Sequence, residues 1–203
     1  PPAFEVLYIR ANADVRIHRS ESQRIVISAP SNLSEKIELR TKKKNELEIR
    51  VKGKAEKFPR FSVDVYTPPL SGIGAAYNAT VEFSGDVALP SFMIGQAGAA
   101  EIRGSLDCET VEINTAGGGT ILLTGSAQSV KINMVGDGTV DAQNFKAADT
   151  AANIVGAGKI LTWTTGDLSV NGVGNGTIYY RGTEVIDFNA VGSGRIIRLP
   201  DNS

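Results

Sequence analysis

Cysteine and histidine occur only once each among the 203 residues, as Cys108 and His18. A single cysteine excludes an internal disulfide and a cysteine-built metal site, and a single histidine excludes a multi-histidine metal site. We expect Cys108 to be a small buried side chain and His18, which lies in an alternating segment, to face solvent. A serine–histidine–aspartate site would have only this one poor candidate histidine.

Long apolar runs and a strong charge excess are also missing. No segment approaches the roughly 18 apolar residues of a membrane span, and a net charge of −1 argues against a nucleic-acid binder. The sequence opens without a methionine or an apolar signal core, so we expect a mature or trimmed form. Any membrane association would then depend on an upstream segment.

Glycine is scarce in the first part of the chain and abundant in the second. Residues 1–69 contain one of the 22 glycines, and residues 70–203 contain the other 21. The first part carries 14 basic and 9 acidic residues, a net +5, and the second carries 7 and 13, a net −6. We therefore expect an N-terminal strand region over 1–69, packed on or continuing into a glycine-rich solenoid over 70–203.

The first part consists of short runs in which apolar residues alternate with charged ones, such as "ELEIRVK" and "FSVDVY". This period of two is typical of strands with one buried face and one solvent-exposed face. We predict no helix here. The lysines at 42–44, followed by Asn45, indicate a hairpin turn, because the aromatic interleaving of a single-strand nucleic-acid binder is missing.

The second part repeats a unit of 18 to 20 residues. The segments "VEINTAGGGTI", "VKINMVGDGTV", "TAANIVGAGKI", "LSVNGVGNGTI" and "IDFNAVGSGRI" align in register after "FMIGQAGAAEI", and a fainter copy starts at Ser71. Such a period is typical of a solenoid, in which each unit stacks on its neighbours. Aliphatic residues four before and four after the first glycine of each unit are predicted to point inward. The sequence therefore predicts an all-β, parallel β-helix of about seven coils.

Two columns of the repeat have structural roles in this interpretation. The glycines are predicted at sharp corners, where a Cβ would force a forbidden φ or meet the next coil. They are Gly117, Gly119, Gly136, Gly138, Gly156, Gly158, Gly174, Gly176, Gly192 and Gly194. The asparagines are expected to accept the left-handed conformation of a corner and to join their amides into a ladder. They are Asn114, Asn133, Asn153, Asn171 and Asn189.

Few residues suggest catalysis or ligand binding. Asp137 and Asp141 lie in one unit, but the neighbouring units supply no acidic partners of the kind that a polysaccharide-cleaving solenoid needs. The slot that holds Thr120, Thr139 and Thr177 hints at an ice-binding face. Glu101, Lys159 and Arg195 interrupt this slot, and the two cations also argue against a calcium ladder. Trp163, Tyr179 and Tyr180 could form a platform for sugar rings, although burial is the commoner fate of such aromatics.

The order of these features resembles the head GIN domain family of bacterial autotransporter adhesins. The resemblance rests on the step "FSVDVYTPPL", on the repeats "GDGTV", "GAGKI", "GNGTI" and "GSGRI", and on the closing "NGTIYYRGTEV". The first units differ from the family pattern, because "GAA" and "YNA" replace the glycine pair, which leaves the register of residues 70–100 open. The family implies a right-handed β-helix exported to the periplasm or cell surface, and it implies no catalytic residues.

We therefore expect an exported surface or envelope module, adhesive or structural, without catalysis, cofactor or metal. Its partner would be an extracellular protein or glycan and not a nucleic acid. Weak self-association is expected, end to end or side to side, because solenoid ends leave strands unpaired and the two parts carry opposite charge. The alternatives are a carbohydrate-active solenoid enzyme, a lyase or hydrolase, and, more distantly, an ice-binding surface.

Overall fold

A computed structural model describes residues 3–200, with the side chains of all of these except residues 56 and 85–87. The protein is 72% strand and 3% helix, which confirms the all-β prediction. The strands are β1 (Val6–Arg10), β2 (Ala13–Arg19), β3 (Arg24–Ser28), β4 (Ile37–Thr41), β5 (Glu46–Val51), β6 (Phe61–Thr67), β7 (Gly72–Ala76), β8 (Thr80–Gly98), β9 (Glu101–Gly117), β10 (Thr120–Gly136), β11 (Thr139–Gly156), β12 (Lys159–Thr164), β13 (Asp167–Gly174), β14 (Thr177–Gly182), β15 (Val185–Gly192) and β16 (Arg195–Arg198). One helical turn, α1 (Ser31–Ser34), and one 3-10 turn (Ala55–Lys57) interrupt the first part.

The glycine-rich part is a parallel β-solenoid, as predicted. Seven coils follow one another over residues 72–198, and every coil pairs in parallel with the next. The register matches the columns read from the sequence, for example Asn133 opposite Asn153 and Gly136 opposite Gly156. The inward isoleucines Ile94, Ile113 and Ile132 are fully buried in the core. Each coil therefore buries its apolar residues against its neighbours.

The first part of the chain adds two further coils, and they lie out of chain order. Strands β1 and β2 pair in parallel with β7 and β8, so they form the coil next to the repeats. Strands β5 and β6 pair in parallel with β1 and β2 on the other side and form the outermost coil. We number the nine coils from that end: coil 1 is β5–β6, coil 2 is β1–β2, coil 3 begins with β7, and coil 9 is β15–β16.

The chain returns from coil 1 to coil 3 through the "TPPL" step, and Gln23 fixes this return. The Gln23 side-chain amide donates to the Phe4 carbonyl at 2.6 Å and to Oγ1 of Thr67 at 2.9 Å. Its oxygen accepts from the Phe4 backbone N–H at 3.0 Å. Beyond the step, the Ser71 N–H donates to the Glu5 carbonyl at 2.8 Å. The start of coil 2, the end of coil 1 and the start of coil 3 are thereby joined.

Coil 1 is closed by two antiparallel strands and one buried leucine. Strand β3 pairs antiparallel with β6, and β4 pairs antiparallel with β5. The turn between β4 and β5 falls at the lysines of positions 42–44, where a hairpin was predicted. Between β3 and β4, α1 places Leu33 in the core with only 1% of its surface exposed. This segment seals one end of the solenoid, a requirement of stacked-repeat proteins.

Coil 9 is not covered in this way within the described residues. Its inward side chains Ile186, Phe188 and Ile196 are only partly buried and pack on coil 8 from one side. Pro200 follows β16 at this end and cannot donate a backbone hydrogen bond to another strand. The two ends of the solenoid therefore differ: one is capped by its own chain, and the other exposes part of the core.

Candidate functional site: the two outer walls

The solenoid presents two long outer faces. We call the first the asparagine wall; it consists of β5, β1, β7, the second halves of β8 to β11, β13 and β15. We call the second the aromatic wall; it consists of β6, β2, the first halves of β8 to β11, β12, β14 and β16. Because side chains alternate along a strand, every second residue on each wall faces outward and stacks in a column about 4.8 Å from its copy in the next coil.

The corner glycines lie between the walls, and they serve two different needs. The first glycine of each pair has a positive φ, from +108° at Gly174 to +124° at Gly156, a conformation that L side chains rarely adopt. The second glycine provides space, since a Cβ on Gly138 would lie 2.7 Å from the Gly119 carbonyl oxygen. Gly194 in the last coil differs, because a Cβ there would meet only ordinary contacts at 3.5 Å and beyond.

The register of residues 70–100, which the sequence left open, is set by the structure. Tyr77 takes the corner position of coil 3 with a φ of +65°, and no other non-glycine residue described has a positive φ. The Ala99 N–H donates to the Tyr77 carbonyl at 3.0 Å, just as the Gly118 N–H donates to the Gly98 carbonyl one coil later. The fainter copy from Ser71 is therefore a true coil, with a tyrosine in place of the first glycine.

The asparagine column forms an amide ladder over four of its five members. The amides of Asn133, Asn153 and Asn171 each donate to the side-chain oxygen one coil before, at 2.9, 3.0 and 3.2 Å. Asn189 does not join the ladder; its amide donates instead to Asp187 at 3.1 Å. The expectation that these asparagines adopt left-handed corner conformations is wrong, because none has a positive φ and all lie within strands.

We predict that Asn153→Ala lowers the free energy of unfolding by about 1 kcal/mol, because Asn153 both donates to Asn133 and accepts from Asn171. Lys131 is exposed on the same wall, and Lys131→Ala should change stability by less than about 0.5 kcal/mol. Urea unfolding of the two variants measures the difference. Equal losses would show that the ladder adds nothing to stability.

A stripe of exposed small and aliphatic side chains runs beside the asparagine ladder. The residue before the first glycine of each coil faces outward and, from coil 6 onward, is a valine: Val135, Val155, Val173 and Val191, exposed by 57, 48, 52 and 72%. In coils 3 to 5 the same column holds Ala76, Ala97 and Ala116. The recurring "VG" at the four later positions is the sequence signal of this column, and it does not by itself distinguish an exposed valine from a buried one.

A shallow trough of about 450 Å³ lies where the asparagine wall carries its smallest side chains. Its floor includes Gly95, Ala97 and Ala116, and none of its lining residues is acidic. At one end the ring of Tyr8 lies over Gly74, so close that a Cβ on Gly74 would come within 2.4 Å of it. Gly95 itself is open, with only the Gly74 Cα within 4 Å of an added Cβ.

The aromatic wall carries a patch of rings and cations over coils 6 to 8. The Arg181 guanidinium lies 4.4 Å from the centroid of the Trp163 ring, and the Lys146 ammonium lies 5.6 Å from it. The Lys159 ammonium lies 5.8 Å from the Tyr179 centroid. Both lysines are exposed, both rings are half-buried, and Arg181, the neighbour of Trp163 in the next coil, is buried. We call Trp163, Tyr179, Lys146 and Lys159 the ring–cation patch.

Tyr180 does not belong to this patch. The prediction that it joins Trp163 and Tyr179 in a platform is wrong, because it points into the core with 8% of its surface exposed. The reason is the alternation of side chains along β14, which turns Tyr179 outward and the next residue inward. Trp163 and Tyr179 remain on the outer face, in neighbouring coils.

The acidic candidates are not gathered into a cluster. Asp137 is exposed at a corner, and Asp141 accepts hydrogen bonds from the backbone and side chain of Gln143 at 3.2 and 3.1 Å. The neighbours of Asp141 in its column are Leu122 and Leu161. No group of three or more histidine, cysteine, aspartate or glutamate residues that could hold a metal occurs among the residues described. Thr139, Lys159 and Thr177 are neighbours in one outward column, so a lysine interrupts the row of threonines that suggested an ice-binding face.

His18 is half-buried and does not simply face solvent as expected. Its Nε2 atom lies 2.7 Å from Oδ1 of Asp64, and its ring stacks on Tyr66 with the centroids 4.8 Å apart. Arg24 lies on the same tyrosine ring at 4.4 Å. These contacts join coils 1 and 2 and strand β3, so they account for His18 as a packing residue.

Cys108 is buried, and burial is the main reason that the pKa of its thiol is raised. The thiol donates to the Thr110 carbonyl at 3.2 Å. Since only the thiolate reacts with disulfide reagents, we predict that Cys108 reacts much more slowly in the folded protein than in urea at the same mildly alkaline pH. Following colour release from an aromatic disulfide reagent tests this. Equal rates would contradict the burial of the thiol.

These walls define the class of protein: a β-solenoid repeat protein that exposes long, regular side walls. A family model described as "Putative auto-transporter adhesin, head GIN domain" matches residues 3–183, so the chain belongs to this family, and the resemblance seen in the sequence is confirmed. Comparison with curated proteins finds no match. Within the described residues, no helix has the length and apolar character needed to cross a membrane.

Solved structures share the fold over almost the whole chain. A "putative adhesin" from Bacteroides fragilis NCTC 9343 superposes with a TM-score of 0.85 at 21% identity, covering 97% of this chain and 93% of that one. A "putative adhesin" from Parabacteroides merdae ATCC 43184 gives 0.74 at 21% identity, with coverage of 98% and 92%. A "Putative lipid binding protein" from Parabacteroides distasonis ATCC 8503 gives 0.74 at 18% identity, with coverage of 98% and 93%.

Proposed function

We propose that the protein is an exported, non-catalytic adhesive module that binds an extracellular glycan or protein through its aromatic wall. The observation that supports this is the ring–cation patch, in which two exposed ammonium groups lie over two half-buried rings. Family membership gives the adhesin class. The export and the absence of catalysis are part of the proposal.

The chemistry of the patch favours an acidic saccharide among such partners. Aromatic rings present apolar surface to the C–H faces of sugars, and ammonium groups attract carboxylate or sulfate substituents. The four side chains span three coils and five positions along a strand, about 10 Å by 13 Å, which suits one or two sugar rings. The Arg181 guanidinium packs on the Trp163 ring and also donates to the Gln143 carbonyl, so the ring is held in place.

A flat patch of this kind should bind without cutting. Cleavage of an acidic polysaccharide requires carboxylates or other acid–base groups placed around the scissile bond. Asp141 is the nearest carboxylate in the Tyr179 column, two coils away and already bonded to Gln143. The carbohydrate-active enzyme, which is the alternative function from the sequence, would need a second carboxylate beside it.

An array of acidic glycans, neutral glycans and extracellular-matrix proteins, probed with the purified protein, tests the proposal. We expect the strongest signals on acidic glycans, and we expect Lys146→Ala combined with Lys159→Ala to weaken them by about tenfold or more. Lys44→Ala combined with Lys54→Ala, which removes two exposed lysines from the N-terminal part, is the matched control and should leave them unchanged. Undiminished binding by the Lys146 and Lys159 double variant, or no binding to any acidic glycan, would refute the assignment.

A further inference from the structure

The exposed stripe of the asparagine wall is divided into two halves of different size. Coils 3 to 5 contribute alanines and coils 6 to 9 contribute valines. The neighbouring outward column is divided in the same way, with Gly74 and Gly95 in coils 3 and 4 and asparagines from coil 5 onward. The Tyr8 ring covers Gly74, so the wall is recessed at Gly95 and along the alanines, and the later coils project further by about the size of an asparagine or a valine side chain.

We propose that two copies of the chain pack face to face through their asparagine walls, with the order of coils reversed. The twofold axis lies parallel to the strands and passes between coils 5 and 6. Every column then faces its own counterpart, as an isologous interface requires. The proposal concerns the wall opposite to the ring–cation patch and does not depend on the proposed function.

The shapes of the two halves match in this register. Val135 faces Ala116 of the second copy, Val155 faces Ala97, and Val173 faces Ala76. In the adjacent column Asn153 faces Gly95, the open position in the trough floor. The projecting side chains of each copy thus enter the trough of about 450 Å³ in the wall of the other copy.

The charges match in the same register. The third outward column of this wall holds Glu112 in coil 5 and Lys131 in coil 6, which are neighbours in the ladder. Reversing the coils about this point places Glu112 of each copy opposite Lys131 of the other. The remaining members of this column between coils 3 and 8 are uncharged: Gly72, Met93, Ala151 and Ser169. Each of these four charged side chains would then have an opposite charge beside it in its own chain and another opposite charge facing it in the second copy.

The other face-to-face arrangement is unfavourable. A twofold axis parallel to the solenoid would keep the order of coils and exchange the outer columns, so Glu112 and Lys131 would lie on the stripe of Ala116 and Val135. That would remove charged groups from water without a partner. Side-chain chemistry therefore selects the reversed order.

The extent of the contact indicates a weak dimer. The matching columns extend over coils 3 to 8, and six coils at about 4.8 Å and five residues at about 3.3 Å give a face of about 24 Å by 16 Å. Two such faces bury about 770 Å² in total, which is the size of a weak, transient interface. We expect dissociation in the micromolar range or weaker, and further weakening as salt screens the central charges.

Sedimentation velocity with two charge-reversed variants tests the register. Glu112→Lys makes the central charges of a wall basic, and Lys131→Glu makes them acidic, so each variant alone should associate at least about tenfold more weakly than the wild type. An equimolar mixture of the two should recover dimer, because every charge then faces its opposite. A chain carrying both substitutions should dimerise like the wild type.

Val155→Asp provides a test of the stripe, with Leu39→Asp as its control. Val155 lies in the proposed contact, whereas Leu39 is comparably exposed, at 42%, on β4 of the N-terminal cap. We expect Val155→Asp to abolish the dimer while its circular dichroism stays that of the wild type, and Leu39→Asp to leave the dimer intact. A wild type that stays monomeric at every concentration, or a mixture of reversed variants that fails to dimerise, would overturn the proposal.

Discussion

Gly136→Val is expected to lower the free energy of unfolding by about 3 kcal/mol or more, because two separate costs act at this corner. Gly136 has a φ of +119°, which a β-branched residue rarely adopts. Any Cβ there would also come within 2.7 Å of the Gly117 carbonyl oxygen in the preceding coil. That oxygen belongs to the backbone and cannot move aside without disturbing the pairing of coils 5 and 6. Urea unfolding followed by circular dichroism measures the loss.

Gly136→Ala and Gly194→Ala form the matched pair for this prediction. Alanine at position 136 has an unfavourable φ and a Cβ that is too close to the preceding coil. Alanine at position 194 has neither problem, because the nearest atom to its Cβ is 3.5 Å away and φ lies outside the left-handed region. We expect about 2 kcal/mol for the first and less than about 0.5 kcal/mol for the second. Equal losses would mean that glycine is needed at the corners for another reason.

Leu33→Ala is expected to cost about 2–4 kcal/mol, the range for removing a fully buried leucine side chain. Leu33 covers the core at the outer side of coil 1 and is the main apolar contribution of α1. A cavity at this point exposes the end of the solenoid, so we also expect increased binding of a hydrophobic dye before the main unfolding transition. Thermal and urea unfolding, followed with such a dye, measure both effects.

Leu39→Ala is the control for the cap, since Leu39 has the same side chain but is 42% exposed on β4. We expect a loss of less than about 1 kcal/mol. A Leu33→Ala variant as stable as Leu39→Ala would show that the stability of this end of the solenoid does not depend on the buried Leu33 side chain.

The repeat unit allowed the core of the fold to be predicted. A column of isoleucines, a glycine pair and an asparagine recur at fixed offsets, and stacking in register is the arrangement that buries all the isoleucines at once. The corner positions follow from the glycines, because a Cβ would collide with the adjacent coil at Gly117, Gly136 and Gly156. The sequence was informative here because each position is repeated several times.

The arrangement of the first part could not be predicted from its pattern. Alternation identifies β1, β2, β5 and β6 as strands, but it does not say which strand pairs with which. The insertion of coil 2 between coils 1 and 3 depends on contacts far apart in the chain, such as Gln23 with Phe4 and Thr67. The corner at Tyr77 could not be predicted either, because tyrosine rarely adopts a φ of +65°.

The candidate surfaces were only partly visible in the sequence. Alternation is consistent with an outward Lys131, but it does not reveal the exposed valine column, because a recurring apolar residue in a sequence is typical of the core. The asparagines were placed at corners because asparagine accepts left-handed conformations, whereas the ladder requires extended strands that align the amides. The grouping of Lys146 with Trp163 depends on a register shift between β11 and β12, which no periodic pattern reveals.

The most direct test of the proposed function follows binding and chemistry in the same sample. An acidic polysaccharide recognised on the array is incubated with the protein, and its chain length is measured by size-exclusion chromatography while bound protein is quantified. We predict saturable binding, lost in the Lys146→Ala and Lys159→Ala double variant, with the polysaccharide unchanged in length. Progressive shortening of the polysaccharide by the wild type would contradict a non-catalytic adhesive module and identify an enzyme instead.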